Sequence, residues 1–331
     1  MPDLRLIDKL KEFLMTAQGK DLSLDHLRKE LKLDPNRPEW QSIRKTMFDL
    51  VKDGLVKPSG RNDGVFKVIV QVKPVKVFGR ERRGKINFNF PIDQNTGEEM
   101  SFARDIVFRE GDLILISGVS NYGKTAFCLN LTAQNIEAEP VLMGNEYTGV
   151  DNEPTARFLD RIDRMTWLAW AYDDGNDRFT LLPVRDDFAD HVIRDKINII
   201  DWINTPSGEF FLISKISEDI KRAVGKGIAV AVIQMGQGAD AGRGGQFTRD
   251  FADVELLLSP YGNSETLLVI GKVKESLKRV SGRAFAFTIQ DGVKIISFRE
   301  LLKCGCLKGW RGTKKCENCN GSGWREGNVS I

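Results

Sequence analysis

The sequence predicts an α/β protein whose core is a mostly parallel sheet with helices on both faces. Three observations carry this. Between residues 99 and 300, apolar strand-length runs alternate with amphipathic helix-length segments. One run, DLILISG (112–118), leads through a glycine-rich loop into a helix-forming stretch, TAFCLNLTAQNI (125–136). The last runs follow one another without helices between them, which predicts an antiparallel edge, because only antiparallel neighbours can be joined by short turns.

The elements follow in order. In residues 1–72 Leu4, Ile7, Leu10 and Leu14 recur at helical spacing, then Leu24, Leu27 and Leu31 behind a Ser23 cap. A third helix opens at Pro38 and turns Trp40, Ile43, Met47, Leu50 and Val51 to one side. Two short strands, LVKP (55–58) and VFKVIVQV (65–72), flank the turn SGRNDG. Three helices and a hairpin resemble a winged helix-turn-helix. Such a third helix would carry Gln41, Arg44, Lys45 and Lys52 off its apolar face, and the hairpin tip would carry Arg61. That arrangement suits a DNA major groove. Winged helices also serve as protein-interaction modules, and basic residues on an outer helical face are commonly just solvated. Residues 73–98 read as a basic linker: KPVKVFGRERRGKINFNF holds six Lys or Arg against one Glu. Within 99–300 the expected strands are 112–118, 140–145, 197–203, 228–235, 254–259, 266–273, 284–290 and 293–298. Residues 301–331 form a cysteine-bearing tail.

Composition excludes several classes. The chain has 331 residues, 41% hydrophobic and 29% charged, with a net charge of +3 too small to name a partner. No apolar run approaches membrane-spanning length and the first residues lack the apolar centre of a signal peptide, so the cytoplasm is the expected compartment. Five cysteines, four of them within 304–319, suit a reducing compartment and a metal better than a disulfide framework. Cys128 reads as core. With only His26 and His191, histidine-centred catalysis is a poor expectation.

Residues 118–125, GVSNYGKT, spell G-x-x-x-x-G-K-T. A loop that wraps phosphate must aim successive backbone N–H groups inward, and glycine permits the required dihedrals and close approach. Gly118, Ser120, Asn121, Tyr122 and Gly123 would form this cradle. Lys124 would reach the β- and γ-phosphates of ATP, and the Thr125 hydroxyl would hold Mg²⁺. The strand before and helix after the loop are the required context, with the helix N-terminus against the anion.

Four later features arrive in order. VLMGNE (141–146) ends in Glu146, a carboxylate able to polarise an attacking water. INIIDWI (197–203) offers Asp201 to steady Mg²⁺. VAVIQMGQG (230–238) places Gln234 where an amide can report the γ-phosphate. TLLVIGKVKE (266–275) turns Lys272 and Lys274 to one side of a strand. All these strand ends are expected to converge at the carboxyl edge of the sheet.

This order resembles the RecA-like ATPase core, and more closely the motor domain of DnaB-type replicative helicases. VLMGNEYTGVDNEPTARFLDRI resembles that family's glutamate strand and following helix. INIIDWINTPSGEFFLISKISEDIKRAVGKGIAVAVIQMGQ is similar to its second carboxylate strand, long helix and glutamine strand, and VIGKVKE to its basic motif. The resemblance covers roughly 190 residues. It implies that Lys124 and Thr125 hold phosphate and Mg²⁺, Glu146 activates water, Asp201 supports the metal and Gln234 senses the γ-phosphate. It implies that Lys272 and Lys274 reach into a neighbouring subunit, although the family usually has arginine at the second position. It also implies a homo-oligomer, a hexameric ring in the family, around single-stranded DNA. The strand would be gripped by loops at 204–210 and 236–250, the latter bearing Arg243 and Arg249. In place of the family's helical N-terminal domain stands the three-helix module. A loader or regulator that binds duplex DNA, or a RecA-like recombinase, therefore remains open beside the helicase.

The tail, CGCLKGWRGTKKCENCNGSG (304–323), pairs Cys316-x-x-Cys319 and x-Gly-x-Gly in a pattern resembling one zinc repeat of DnaJ-type proteins. Cys304-x-Cys306 resembles a shortened companion. Four thiolates would close one tetrahedral Zn²⁺ site. Trp310, Trp324, Lys308, Arg311, Lys314 and Lys315 mix aromatic and basic groups, which suits a single strand as well as a small knuckle shedding charge to water.

Overall fold

The computed structural model describes residues 4–59, 64–71, 74, 77–79, 84–204, 212–236, 242, 246–307 and 309–327, with backbone alone for 4–5 and 246–248. The chain divides into two compact units, Met1–Glu81 and Arg82–Ile331.

In the first unit, α1 (Leu4–Thr16), β1 (Asp21–Ser23), α2 (Leu24–Glu30), α3 (Pro38–Lys52), β2 (Val56–Pro58) and β3 (Val65–Val68) follow in order. The Ser23 hydroxyl accepts the His26 N–H at 3.0 Å, satisfying an otherwise orphaned donor at the start of α2. Pro38 begins α3, where its missing N–H costs nothing. Leu10, Leu27, Ile43, Met47, Leu50 and Phe66 form the core. β3 lies between β1 and β2, antiparallel to both. The three-residue β1 was not expected, being too short to show a period.

The second unit is built on a ten-stranded sheet. Its elements are β4 (Leu113–Gly118), α4 (Lys124–Gln134), β5 (Val141–Met143), α5 (Ala156–Arg164), β6 (Thr180–Leu182), α6 (Phe188–His191) and β7 (Ile197–Ile203). Then come α7 (Leu212–Ala223), β8 (Ile228–Gln234), α8 (Gln246–Phe251), β9 (Val254–Tyr261), β10 (Glu265–Val273), β11 (Ala284–Gln290) and β12 (Lys294–Lys303). A small hairpin, β13 (Trp310–Arg311) with β14 (Lys314–Lys315), and β15 (Trp324–Glu326) complete the chain. The sheet order is β15-β12-β11-β10-β9-β4-β8-β7-β5-β6. From β9 to β6 every neighbour is parallel, and from β9 to β15 every neighbour is antiparallel. This is an α/β fold of the RecA-like kind: β8 is inserted between β4, which leads into the glycine loop, and β7.

Period-two alternation within β4 builds two layers. Ile114 and Ile116 join Phe127, Leu129 and Val232 on one face, while Leu113 and Leu115 join Ile213, Ile220 and Ala229 on the other. Burial on both faces explains why these strands read as continuous apolar runs. No helix among the described residues is long and apolar enough to cross a membrane.

Two expected boundaries differ. Residues 84–98, assigned to a linker, enter the core: Phe88 and Phe90 are buried against Phe102 and Phe108, with ring centroids 5.0–5.7 Å apart. The basic residues of the segment masked the apolar ones. The tail is not separate from the sheet either, because β12 runs on to Lys303 and β15 pairs with it, Leu301 opposite Glu326.

Candidate functional site

The site forms where β4, β5, β7 and β8 end. Gly123 caps α4 with φ of +82°, the left-handed region that favours glycine, and the tip of the Ile289 side chain crowds the space a β-carbon would take. Lys124 is buried, and its Nζ donates to the Val119 carbonyl at 2.9 Å, curling over the loop. Burial lowers the Lys124 pKa, while Asp201, Cys128 and Glu146 favour its charge.

Asp201 is fully buried in β7, joined to Trp202 by a cis peptide bond. The Tyr147 hydroxyl donates to Asp201 Oδ2 at 3.0 Å. Burial pushes the Asp201 carboxyl up to about 6, against the opposing pull of the Thr125 and Tyr147 hydroxyls. Its Oδ1 is buried without a hydrogen-bond partner. An orphaned carboxylate oxygen costs free energy unless something cationic satisfies it. Thr125 and Asp201 are hard oxygen donors of the kind Mg²⁺ prefers, so the donor set fits that ion.

Glu146 lies three residues beyond β5, half-buried, near enough for its charge to act on both Lys124 and Asp201. Gly144 brings it there. With φ of +140°, its Cα passes so close to β7 that a β-carbon would sit 1.8 Å from the Asp201 carbonyl oxygen. Gln234, the last residue of β8, is register partner to Gly118, and its Nε2 donates to Ser120 Oγ at 2.5 Å. The loop and the amide are thus in contact, while Asn121 is held at φ of +66°.

Other expected residues are placed differently. Lys272 and Lys274 do not converge with the rest. β10 is antiparallel to β9, so Val273 pairs with Val254, which pairs with Ile114, whereas Leu258 pairs with Gly118. The two lysines therefore lie at the amino end of β4, away from the loop. There Lys272 Nζ donates to the Arg249 carbonyl at 2.6 Å, and Lys274 Nζ to Asp253 Oδ1 at 2.8 Å. Burial alone would raise Asp253, but Lys221, Lys274 and the Leu113 N–H hold it below the ordinary range. Arg249, expected to contact nucleic acid, has its Nε 2.8 Å from Glu255 Oε2, a carboxylate with no exposed surface. Arg44 and Lys45 are exposed on α3, as their spacing required. Arg61 and Arg243 lie outside the described residues, as do most of the two expected loops.

Tyr147 escaped the sequence reading. It follows Glu146 directly, is fully buried, and packs on Phe158 at 5.3 Å. Its one signal was a tyrosine in an apolar setting, where the hydroxyl needs a partner.

At the far edge of the sheet, Cys304, Cys306, Cys316 and Cys319 bring their sulfurs within 4.8 Å of one another. Cys304–Cys316 is 3.8 Å and Cys306–Cys319 is 3.5 Å. A tetrahedron with zinc–sulfur bonds of ~2.3 Å has edges of about 3.8 Å, so the cluster could hold such an ion.

No protein-family model matches this sequence, and no curated protein matches it. Among solved structures, it is similar to a KaiC-like protein of the hyperthermophilic archaeon Pyrococcus horikoshii. The identity is 14% over 65% of this chain and 99% of that one, with a TM-score of 0.43. So distant a likeness decides nothing about activity; the fold stands on the sheet order and the strand–loop–helix around Lys124.

Proposed function

We propose that the chain is an ATP-hydrolysing motor acting on single-stranded nucleic acid, in the manner of a DnaB-like DNA helicase or translocase, working as a homo-oligomer. The observation that supports nucleotide chemistry best is that Lys124 and Thr125, at the end of the glycine loop, act on a buried Asp201 whose Oδ1 has no hydrogen bond. A buried carboxylate oxygen without a hydrogen bond is costly unless a ligand satisfies it.

The chain's own groups divide the work. The backbone of 118–123 and the start of α4 bind phosphate oxygens. Lys124, leaving the Val119 carbonyl, adds its charge there. Thr125 and Asp201 would hold Mg²⁺, which when bound offsets charge on the phosphates. Tyr147 fixes one oxygen of Asp201, and the Thr125 hydroxyl also acts on the carboxylate. Glu146 accepts the proton of the attacking water. Gln234, bonded to Ser120, transmits the state of the loop to β8 and the chain that follows it toward 236–250.

The first unit fits a winged helix, with Arg44 and Lys45 on α3 facing a duplex. That exposed basic face favours one second reading, a DNA-binding ATPase that loads or regulates other factors. The four cysteines are assigned to Zn²⁺ in a structural role. Lys272 and Lys274, tied to their own subunit, must exchange partners if they are to act in trans.

The test is ATP hydrolysis with and without single-stranded DNA, on wild type and Glu146→Gln, with particle mass measured in the same buffer. Turnover stimulated by the strand, lost by about 10²–10⁴-fold in the variant with nucleotide binding kept, and carried by a hexamer, supports the motor. Turnover indifferent to single strands in a small particle rejects it in favour of the duplex-binding reading.

A further inference from the structure

Beside the cysteine cluster lies a groove of about 1100 Å³, bounded by the β9–β10 turn on one side and the tail on the other. It exceeds the ~300–1,000 Å³ of ordinary small-molecule pockets and lacks their apolar lining. Arg311, Lys315 and Arg325 line it, and none of them forms an ion pair among the described residues. Of its two carboxylates, Glu326 is already taken by Arg299 at 2.8 Å, which leaves Glu317 alone against three cations. Two aromatic rings, Tyr261 and Trp324, also line the groove. Both are half-buried and packed on Leu267, Ala284, Ala286 and Leu301, so they are fixed in orientation. Cys304 and Cys319 contribute to the wall, which ties its shape to the cysteine cluster.

We infer that this groove is a second binding site for single-stranded nucleic acid, distinct from the nucleotide site. Arg311, Lys315 and Arg325 contact phosphates, and Tyr261 and Trp324 stack bases. Unpaired cations beside fixed aromatic rings are what an extended polyanion with flat bases requires, and stacking tolerates any base sequence. A duplex cannot offer its bases in this way. The groove deepens the nucleic-acid reading above and rests on it, yet it stands at the antiparallel edge of the sheet, apart from the site that hydrolyses ATP.

Fluorescence anisotropy of a labelled oligothymidylate across a salt series tests it, using the full chain with its metal retained. The variant is Arg311→Glu/Lys315→Glu/Arg325→Glu. The pair Arg311→Glu/Lys315→Glu, confined to the exposed hairpin, is the control against misfolding, and metal content and melting are checked for both. Expected are a fall in affinity of about tenfold or more and a salt slope reduced by roughly 2, as three phosphate contacts require. Affinity within about twofold of wild type in both variants overturns the groove. So does tighter binding of poly-glutamate than of the oligonucleotide. Strand-stimulated turnover alongside unchanged variant binding sinks the groove and leaves the motor. Binding lost in the variants, while wild-type turnover ignores the strand, sinks the motor and leaves the groove.

Discussion

Asp201 is expensive to keep ionised where it stands. Its carboxyl is pushed from an ordinary 3.8 to about 6 by burial, so between those values the folded chain holds a proton that the unfolded chain has released. Stability therefore falls as pH rises through that window, and the full cost is present above pH 6. Asp112, also raised to about 6 by burial, steepens the same fall. The Asp201 share is about 3 kcal/mol at most, two pH units of differential protonation. Asp201→Asn keeps an acceptor for Tyr147 and removes the charge. It is expected to melt about 5 °C above wild type at neutral pH without nucleotide, to flatten the decline between pH 4 and 6, and to lose hydrolysis. Calorimetry across pH checks this. A variant that melts lower than wild type at pH 7 would show that Asp201 stabilises the fold. Adding Mg²⁺ and a non-hydrolysable triphosphate should raise the wild-type melting point far more than the variant's.

At the scale of elements, what could be read in advance depended on how locally each feature is encoded. The strands around the nucleotide site were legible because burial on both faces forces near-continuous apolar runs, as in INIIDWI and IAVAVIQ. The glycine loop was legible because its residues and spacing are fixed locally, between β4 and the start of α4. The position of Lys272 and Lys274 follows from the antiparallel edge that the helix-free late runs predict. β10 reverses beside β9 and carries its last residues to the amino end of β4, which is inconsistent with grouping them among the converging strand ends. Tyr147 and Asp201 meet across 54 positions of sequence, which no local period reports. Residues 84–98 misled for another reason: a basic surface conceals the two phenylalanines that anchor it. Phe90, 2% exposed and with Phe102 at 5.0 Å, is as much core as any strand residue. Phe90→Ala is expected to cost about 3–5 kcal/mol in denaturant unfolding. A loss under about 1 kcal/mol would return this segment to the role of a linker.

Across the whole second unit, one sheet carries two unlike halves. The parallel half presents its carboxyl ends to the nucleotide site, and the antiparallel half ends in the cysteine cluster and its groove. β4 and β9 join them, and because β4 is buried on every residue the joint is rigid. A rigid frame with a site at each side predicts that the sites can be lost separately. If the four cysteines hold a metal, as proposed, stripping it removes the constraint that closes residues 304–319, and with it the wall of the groove. It removes no contact of Lys124, Thr125, Glu146 or Asp201. Chelation should therefore abolish oligonucleotide binding at the groove and expose the tail to protease, while the melting shift produced by a magnesium–nucleotide complex persists. That shift is set by RT ln(1 + [L]/Kd), so at a hundredfold excess over Kd it is worth about 2.7 kcal/mol with or without the tail metal. Thermal melts with and without chelator, each repeated with the nucleotide complex added after the chelator is removed, read both terms in one experiment. If the nucleotide shift disappears with the tail metal, the two halves of the sheet are coupled. The cysteine cluster then acts on the proposed nucleotide site through β9 and β4 rather than standing apart from it.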